Sequence, residues 1–358
     1  MLTSLRQRLN DRLGRAFAQP HLPHATPFDL DLDRLPRGCS RSFGSANPER
    51  IFYVIWREGM GSGFFSNFAF VLHHLALADA AGMVPVVDFK NFKTLYNEPE
   101  TLFGTDNAWE YYFRAVSNAT LDEVYASRNV FFCSGQWAAG RSYWMAGIEG
   151  LHAIYRKYVT IQDRIAVRCD RYAGEFGQRV LGVHFRGQEQ RWAPGHPLPA
   201  TPKQMLALTD AIVERHSIER IFFVSEEQRY LDIYVRRYGN RVFQTDSLRT
   251  RDVNAYNMDP REHHRFLLGA DVLVDALLLA RCTGLLCAPS NVSEFAKFVN
   301  DAQYEFVEEI DNGLNSSNLL VARYLHGIKA LLPRGLGGLP GRVVSYRRGA
   351  RVGDTTRA

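Results

Sequence analysis

Cysteine is sparse in this sequence, and none of it is spaced for metal or redox work. Cys39, Cys133, Cys169, Cys282 and Cys287 make an odd count with no CxxC pair, which excludes a zinc ribbon and a dithiol motif. Buried free thiols in a reducing compartment are the expectation. Long apolar runs are also missing. No stretch approaches the roughly 20 residues needed to cross a bilayer, and the N-terminus has no continuous apolar core of a signal peptide. A cytoplasmic protein is therefore expected. No nucleic-acid-binding motif occurs and the basic residues are spread out, so nucleic acid is not the expected partner. The usual phosphate fingerprints are absent too. The glycine-rich stretch after the first convincing strand has neither a Walker A lysine nor GxGxxG spacing, which argues against a dinucleotide enzyme. No repeat of solenoid period is found.

What is present is an ordinary globular composition. The 358 residues are 46% hydrophobic and 23% charged, enough for one large or two medium domains with real cores. The net charge of +5 and pI near 8.9 permit an anionic ligand or an acidic membrane surface and demand neither.

Residues 1–18 carry Leu2, Leu5, Leu9, Leu13 and Phe17 at helical spacing, with Arg6, Arg8, Arg12 and Arg15 between them. Such a basic amphipathic helix can lie on an anionic membrane, at the inner face in a cytoplasmic protein, or dock on its own domain. Residues 19–49 read as an irregular lead-in, with an edge strand possible at 28–33. Ile51–Trp56 is a core strand. It runs into Gly59-Met60-Gly61-Ser62-Gly63, and a helix is predicted from about Phe68 to Ala81. Gly59, Gly61 and Gly63 could let backbone amides face an anion, or could serve only tight strand-to-helix packing. Val84–Asp88 completes a βαβ unit. Residues 89–150 are aromatic and loop-rich (Phe92, Tyr96, Trp109, Tyr111, Tyr112, Phe113, Trp137, Tyr143, Trp144), as core or as a platform for a sugar ring. A helix over 148–168 would join the halves.

After residue 179 strand and helix alternate, which predicts a doubly wound parallel sheet. Strands are read at 180–185, 220–225, 241–244 and 284–288, and helices at 201–216, 230–238, 271–280, after 290, and over 314–332. Residues 263–265 are expected in a loop. The strand ends collect Arg186, Glu226, Glu227, Asp246, Ser290 and Asn291 at one edge, where such sheets bind ligands. The boundaries expected are 1–49 for the lead-in, 50–170 and 171–332 for the two α/β halves, and 333–358 for a flexible tail.

Three pieces in the second half can carry chemistry. His184-Phe185-Arg186 ends a buried strand, and arginine is suited to a diphosphate because its planar fork binds two oxygens. An ion pair on the surface is the plainer alternative. Asp271 and Asp275 share one face of a helix. Asp275 could accept the two N–H donors of a guanine or be a solvated charge. Ser290-Asn291-Val292-Ser293 can cap a helix, and the same geometry offers donors to a phosphate.

In order and spacing, these pieces resemble a family: the α1,6-fucosyltransferases with their nodulation and protein O-fucosyltransferase relatives. Gly182-Val183-His184-Phe185-Arg186 is similar to the family strand GVHxR. Phe223–Glu227 is similar to its strand running into acidic residues. His264-Arg265 followed by Gly269–Ala280 resembles its aspartate helix, and Ser290–Phe295 its serine-rich phosphate turn. Gly59–Gly63 followed by His73-His74 resembles its N-terminal loop and helix. The likeness spans about 51–310.

The resemblance implies an α/β, GT-B-type glycosyltransferase with two facing Rossmann-like domains, GDP-fucose as donor, a glycan hydroxyl as acceptor, inversion at the anomeric centre and no metal or other cofactor. It implies that Arg186 binds the β-phosphate and meets the charge of departing GDP. Asp275 would read guanine, Ser290, Asn291 and Ser293 would donate to phosphates, and Glu226 or Glu227 would lie near the nucleoside. His184 is a motif member of the donor site, and Glu189 is nominated as general base. Where the family often adds a charge after the arginine, Gly187-Gln188 stand here, so Arg191 or Arg265 would complete the clamp. A nucleotide-sugar-binding protein without transferase activity, or a transferase using another nucleotide sugar, is the alternative.

Overall fold

The computed structural model describes residues 38–59, 63–135, 150–177, 179–186, 191–251 and 254–347. They form two compact units. One comprises the described residues up to 135 together with 150–163 and 261–269, and the other those of 164–260 and 270–347. The helix expected at 1–18, the strand at 28–33 and Trp137, Tyr143 and Trp144 lie outside the described residues.

The first unit is built on β1 (Cys39–Arg41), β2 (Phe52–Ile55), β3 (Val84–Val87) and β4 (Val130–Phe132), in the order β1-β4-β2-β3. β2 runs parallel to β3 and β4, while β1 is antiparallel to β4. The helix Phe64–Ala80 carries the chain from β2 to β3, and Gly82 at φ +65° makes the turn that an L side chain would resist. This helix starts earlier than its sequence pattern suggests because Phe64 and Phe65 are themselves core. The Phe64 ring meets Tyr112 edge-on at 4.8 Å. Tyr96, Trp109, Tyr111, Tyr112 and Phe113 are likewise buried, so these aromatics pack the core and offer no open face to a sugar.

The single helix expected over 148–168 is two, Leu151–Tyr158 and Asp163–Asp170. Between them the backbone pairs instead with 112–114. Arg114 N–H donates to Thr160 O at 2.8 Å and Gln162 N–H to Tyr112 O at 2.9 Å. β-Branched Val159, Thr160 and Ile161 suit that extended path better than a helix.

The second unit is a six-stranded sheet of β5 (Val180–His184), β6 (Arg220–Val224), β7 (Val242–Phe243), β8 (Gly284–Cys287), β9 (Phe306–Asp311) and β10 (Arg342–Arg347), ordered β10-β9-β8-β5-β6-β7. All neighbours are parallel except β10 on β9. All five residues of β5 are buried. Leu181, Val183 and Phe185 pack with Met205, Ile221, Phe223 and Tyr234 in one core. The crossover helix Pro202–Arg215 begins on a full capping box, Thr201 with Gln204, and has proline in its first turn.

Two expectations are corrected here. Residues 342–347 are not tail but the edge strand β10, in register with β9 and tied to it by the Ser345 hydroxyl on Glu308 at 2.8 Å. The helix expected from 271 starts at His264, so His264 and Arg265 are helical rather than in a loop.

Candidate active site

Because β5, β6, β7 and β8 are parallel, their carboxyl ends share one edge. His184 pairs with Val224 on one side and Cys287 on the other. Two residues further along each strand stand Arg186, Glu226 and Pro289, with Ser290 next. Arg186 is half-buried, and its Nε lies 4.0 Å from Glu226 Oε2. That Nε is buried with no hydrogen-bond partner among the described residues. A buried guanidinium N–H without an acceptor is costly to maintain, and such a group at a strand end is placed to take an anionic oxygen. Glu226 itself is exposed.

Directly behind Arg186, His184 is buried and its Nδ1 lies 3.2 Å from Ser290 Oγ. Burial, and then the Arg186 charge, lower the imidazole pKa to about 3, so the ring is neutral. Ser290 caps the helix Asn291–Asn300 in a capping box with Ser293. Ser290 Oγ accepts from Ser293 N–H at 3.1 Å, and Ser293 Oγ donates to Ala288 O at 3.1 Å. Both hydroxyls therefore fix the turn, and the half-buried Asn291 is the first residue of the helix. That helix begins just past the end of β8, so its N-terminus lies at the same strand edge.

Asp275 is buried on the helix His264–Leu279 and takes a hydrogen bond from Thr245 Oγ1, just past the end of β7. Its pKa is raised to about 6, chiefly by burial and against the pull of Arg249 and the Thr245 hydroxyl. Arg249 donates to the carbonyls of Thr245 and Ser247 at 3.1 and 3.0 Å. Its Nε and second terminal nitrogen are buried with no partner among the described residues. One turn earlier, Asp271 receives Arg168 at 2.6 Å and the Leu248 amide at 3.1 Å. Asp246 also pairs with Arg168, at 2.7 Å. Two aspartates on one helix face thus anchor the loop after β7.

Glu227, unlike its neighbour, is fully buried and pairs with both Arg191 and Arg229. Arg191, expected to help hold a phosphate, is engaged by Glu227 at 3.1 Å and by the Tyr230 hydroxyl. Arg265 belongs to the first unit. Glu189 and Gly61 lie outside the described residues. Gly59 has φ +82°, and Gly63 is the N-cap of the helix Phe64–Ala80. His73 and His74 are buried on that helix, with His74 Nδ1 at 2.8 Å from the Tyr53 hydroxyl.

Two features were not read from the sequence. His196, exposed in the loop after β5, has its pKa lowered by partial desolvation and then by the Arg186 charge, which puts a titratable ring in the field of Arg186. The Thr245, Ser247 and Arg249 cluster surrounds Asp275. Its signal was the polar run Thr245-Asp246-Ser247-Leu248-Arg249 straight after a strand.

The architecture is a mixed α/β fold with parallel sheets, as found in fucosyltransferase structures. No protein-family model matches the chain, and no protein of curated function matches it in sequence. Among solved structures it is similar to the Se-Met fucosyltransferase NodZ from Bradyrhizobium, with a TM-score of 0.50 at 15% identity, covering 84% of this chain and 99% of that one. It is also similar to NodZ alpha-1,6-fucosyltransferase soaked with GDP-fucose (0.48, 14% identity, 75% and 98% covered). POFUT1 in complex with GDP follows (0.32, 12% identity, 70% and 69% covered). The first of these is a fucosyltransferase, the class that the motifs at 182–186 and 290–295 resemble. At this identity the likeness to the first is one of fold.

Proposed function

We propose that this chain is a glycosyltransferase of the GT-B type that moves fucose from GDP-fucose to a glycan hydroxyl with inversion. The observation that carries the reading is Arg186 at the end of β5, with a buried Nε lacking a partner among the described residues. The likeness of its strand to the family motif and the fold shared with a fucosyltransferase support it. Fold alone does not assign chemistry, so the weight rests on the strand edge.

In this reading a base takes the proton of the acceptor hydroxyl, and the oxygen attacks the anomeric carbon. The bond from that carbon to the β-phosphate oxygen breaks, and GDP leaves with the electron pair. Arg186 and the amides at the start of the helix Asn291–Asn300 meet the charge that develops on the diphosphate, so no metal is required of the reaction. Preorganised donors of this kind are often the largest catalytic contribution. Asp275, held in place by Thr245, is the proposed reader of guanine, and Glu226, beside Arg186, is the proposed neighbour of the nucleoside. Glu189 is the proposed base. His196 is a second candidate, because its pKa responds to Arg186 and a neutral imidazole can accept a proton.

Thermal-shift measurements with GDP, UDP and ADP test the donor, and transfer from GDP-fucose to a panel of glycans tests the chemistry. GDP should stabilise the protein selectively, and Arg186→Ala should remove both stabilisation and turnover with the melting temperature retained. Stabilisation by UDP and not GDP would overturn the donor. Binding of GDP-fucose with neither transfer nor hydrolysis would favour a binding protein.

A further inference from the structure

Among the described residues the exposed large hydrophobic side chains are concentrated in one stretch. Thirteen large hydrophobic side chains are exposed among the described residues, and nine of them lie between Leu314 and Leu336. Scattered exposed leucines are normal, whereas a contiguous patch marks an interaction surface. The patch is built on the helix Leu319–Leu331. This helix docks on its unit through buried Ala322 and through His326, whose Nε2 lies 3.2 Å from Pro199 O. Its opposite stripe, at helical spacing, is Leu320, Tyr324, Ile328 and Leu331, which are 73%, 60%, 55% and 88% exposed. A soluble helix ordinarily puts charge on that face.

Along this stretch of chain the charge has one sign, and acidic residues come only from outside it, where Glu308, Glu309 and Asp311 of β9 lie opposite β10. From residue 314 to 347 the sequence contains no Asp or Glu, while Arg323, Lys329, Arg334, Arg342 and Arg347 fall within it. Beside the helix opens a cavity of about 440 Å³ whose lining includes Lys203, Lys329 and Arg334 and no carboxylate, over an apolar floor with Leu208, Ile310 and Val343. A second copy of the chain seated on this face in two-fold fashion would set these cations against their own equivalents. No helix among the described residues is long and apolar enough to cross a membrane.

We propose that the helix Leu319–Leu331 and the adjoining cationic cavity form a docking surface for an anionic phospholipid bilayer. The outward stripe enters the interface between headgroups and acyl chains, and the cavity accepts a lipid phosphate. An apolar face rimmed by Lys and Arg is the pattern of a helix lying in the plane of a membrane. Each cation near an anionic surface adds binding that salt screens. The site lies apart from the strand edge of Arg186 in sequence, and the proposal does not depend on the reaction assigned there.

Vesicle co-sedimentation of the full chain tests it, with phosphatidylcholine alone and with phosphatidylcholine containing phosphatidylglycerol. The protein should bind the anionic vesicles at low ionic strength, release from them at high salt, and ignore the neutral ones. Replacing Lys203, Lys329 and Arg334 by Gln should weaken partitioning about fivefold for each charge removed. The combined change Leu320→Gln, Ile328→Gln and Leu331→Gln should abolish binding. Because those three side chains are exposed, its melting temperature should match the parent, which separates loss of docking from loss of fold. No binding to anionic vesicles, equal binding to both kinds, or undiminished binding by the leucine and isoleucine variant would overturn the proposal. So would a concentration-dependent dimer that the same variant dissolves.

Discussion

His184 Nδ1 lies 3.2 Å from Ser290 Oγ, so the last residue of β5 and the N-cap of the helix Asn291–Asn300 are joined inside the protein. With a pKa lowered to about 3, first by burial and then by Arg186, His184 is no proton carrier near neutrality. It positions the strand end against the turn. The unfolded chain takes up a proton near pH 6.5 that the folded chain refuses until about pH 3. The contribution is therefore intact above 6.5 and shrinks as pH falls through that window, by about 1.4 kcal/mol per pH unit. Denaturant unfolding of wild type and His184→Gln at a series of pH values should show the variant with the shallower loss on the acid side. Parallel curves would remove this role from His184.

Arg186→Lys keeps the charge and loses the planar fork. If the side chain takes two diphosphate oxygens at once, lysine restores little. Turnover of GDP-fucose should fall by about 100-fold or more, in the range seen when one preorganised donor is lost, with the melting temperature close to wild type. A lysine variant of near-normal turnover would mean that Arg186 acts as a point charge only.

Asp275 is expected to be bad for stability and good for function. Its carboxyl is raised to about 6 by burial, from an ordinary 3.8. Folding therefore favours the protonated form, and stability is lost as pH rises from about 4 to 6. Asp275→Asn keeps an acceptor for the Thr245 hydroxyl and removes the buried charge. The variant should be more stable at pH 7.5 by about 1–3 kcal/mol, while selective stabilisation by GDP over ADP disappears. Urea midpoints and thermal shifts measured side by side check both halves. A variant that gains stability and still prefers GDP would release Asp275 from the guanine.

The second unit was the more legible half because its central strands are buried and read as unbroken apolar runs, whereas β9, with Glu308 and Glu309 inside it, was not read as a strand. Val180–His184, Arg220–Val224 and Gly284–Cys287 are such runs. Strands without that signature were missed. β1 is three residues long, and β4, Val130–Phe132, sat within an aromatic region that offered no period. β10 hid its Val343-Val344 pair among glycine, proline and arginine and looked like a tail. At the site, position along the chain put Arg186, Glu226 and Ser290 on one edge. It could not separate Glu226 from Glu227, because only the fold reveals that one is exposed and the other buried between two arginines. His196 likewise became visible only through its response to Arg186.

Glu294 belongs to the stretch that resembles the family's phosphate turn, yet it points to a different task. It pairs with Lys297 one turn later, and Lys297 also reaches Glu309 on β9 at 2.8 Å. All three are nearly or fully buried. Burial by itself would lower the Lys297 pKa, but the two carboxylates outweigh it and hold the ammonium charged. The Glu294 carboxyl is pushed up by burial against the pull of Lys297. One cation thus serves two carboxylates, tying the helix Asn291–Asn300 to the sheet. Lys297→Met should cost about 3–5 kcal/mol at pH 7, since it strands buried charge. Part of the loss should return as pH is lowered and the Glu294 carboxylate, already pushed up by burial, protonates. Adding Glu294→Gln and Glu309→Gln should restore stability at pH 7, because no unpaired charge then remains. The same triple variant should still be stabilised by GDP, as none of the three residues is assigned to the donor. If it folds as well as wild type and no longer responds to GDP, the triad acts on the donor, and the turn at Ser290 depends on that ion pair for more than its anchorage.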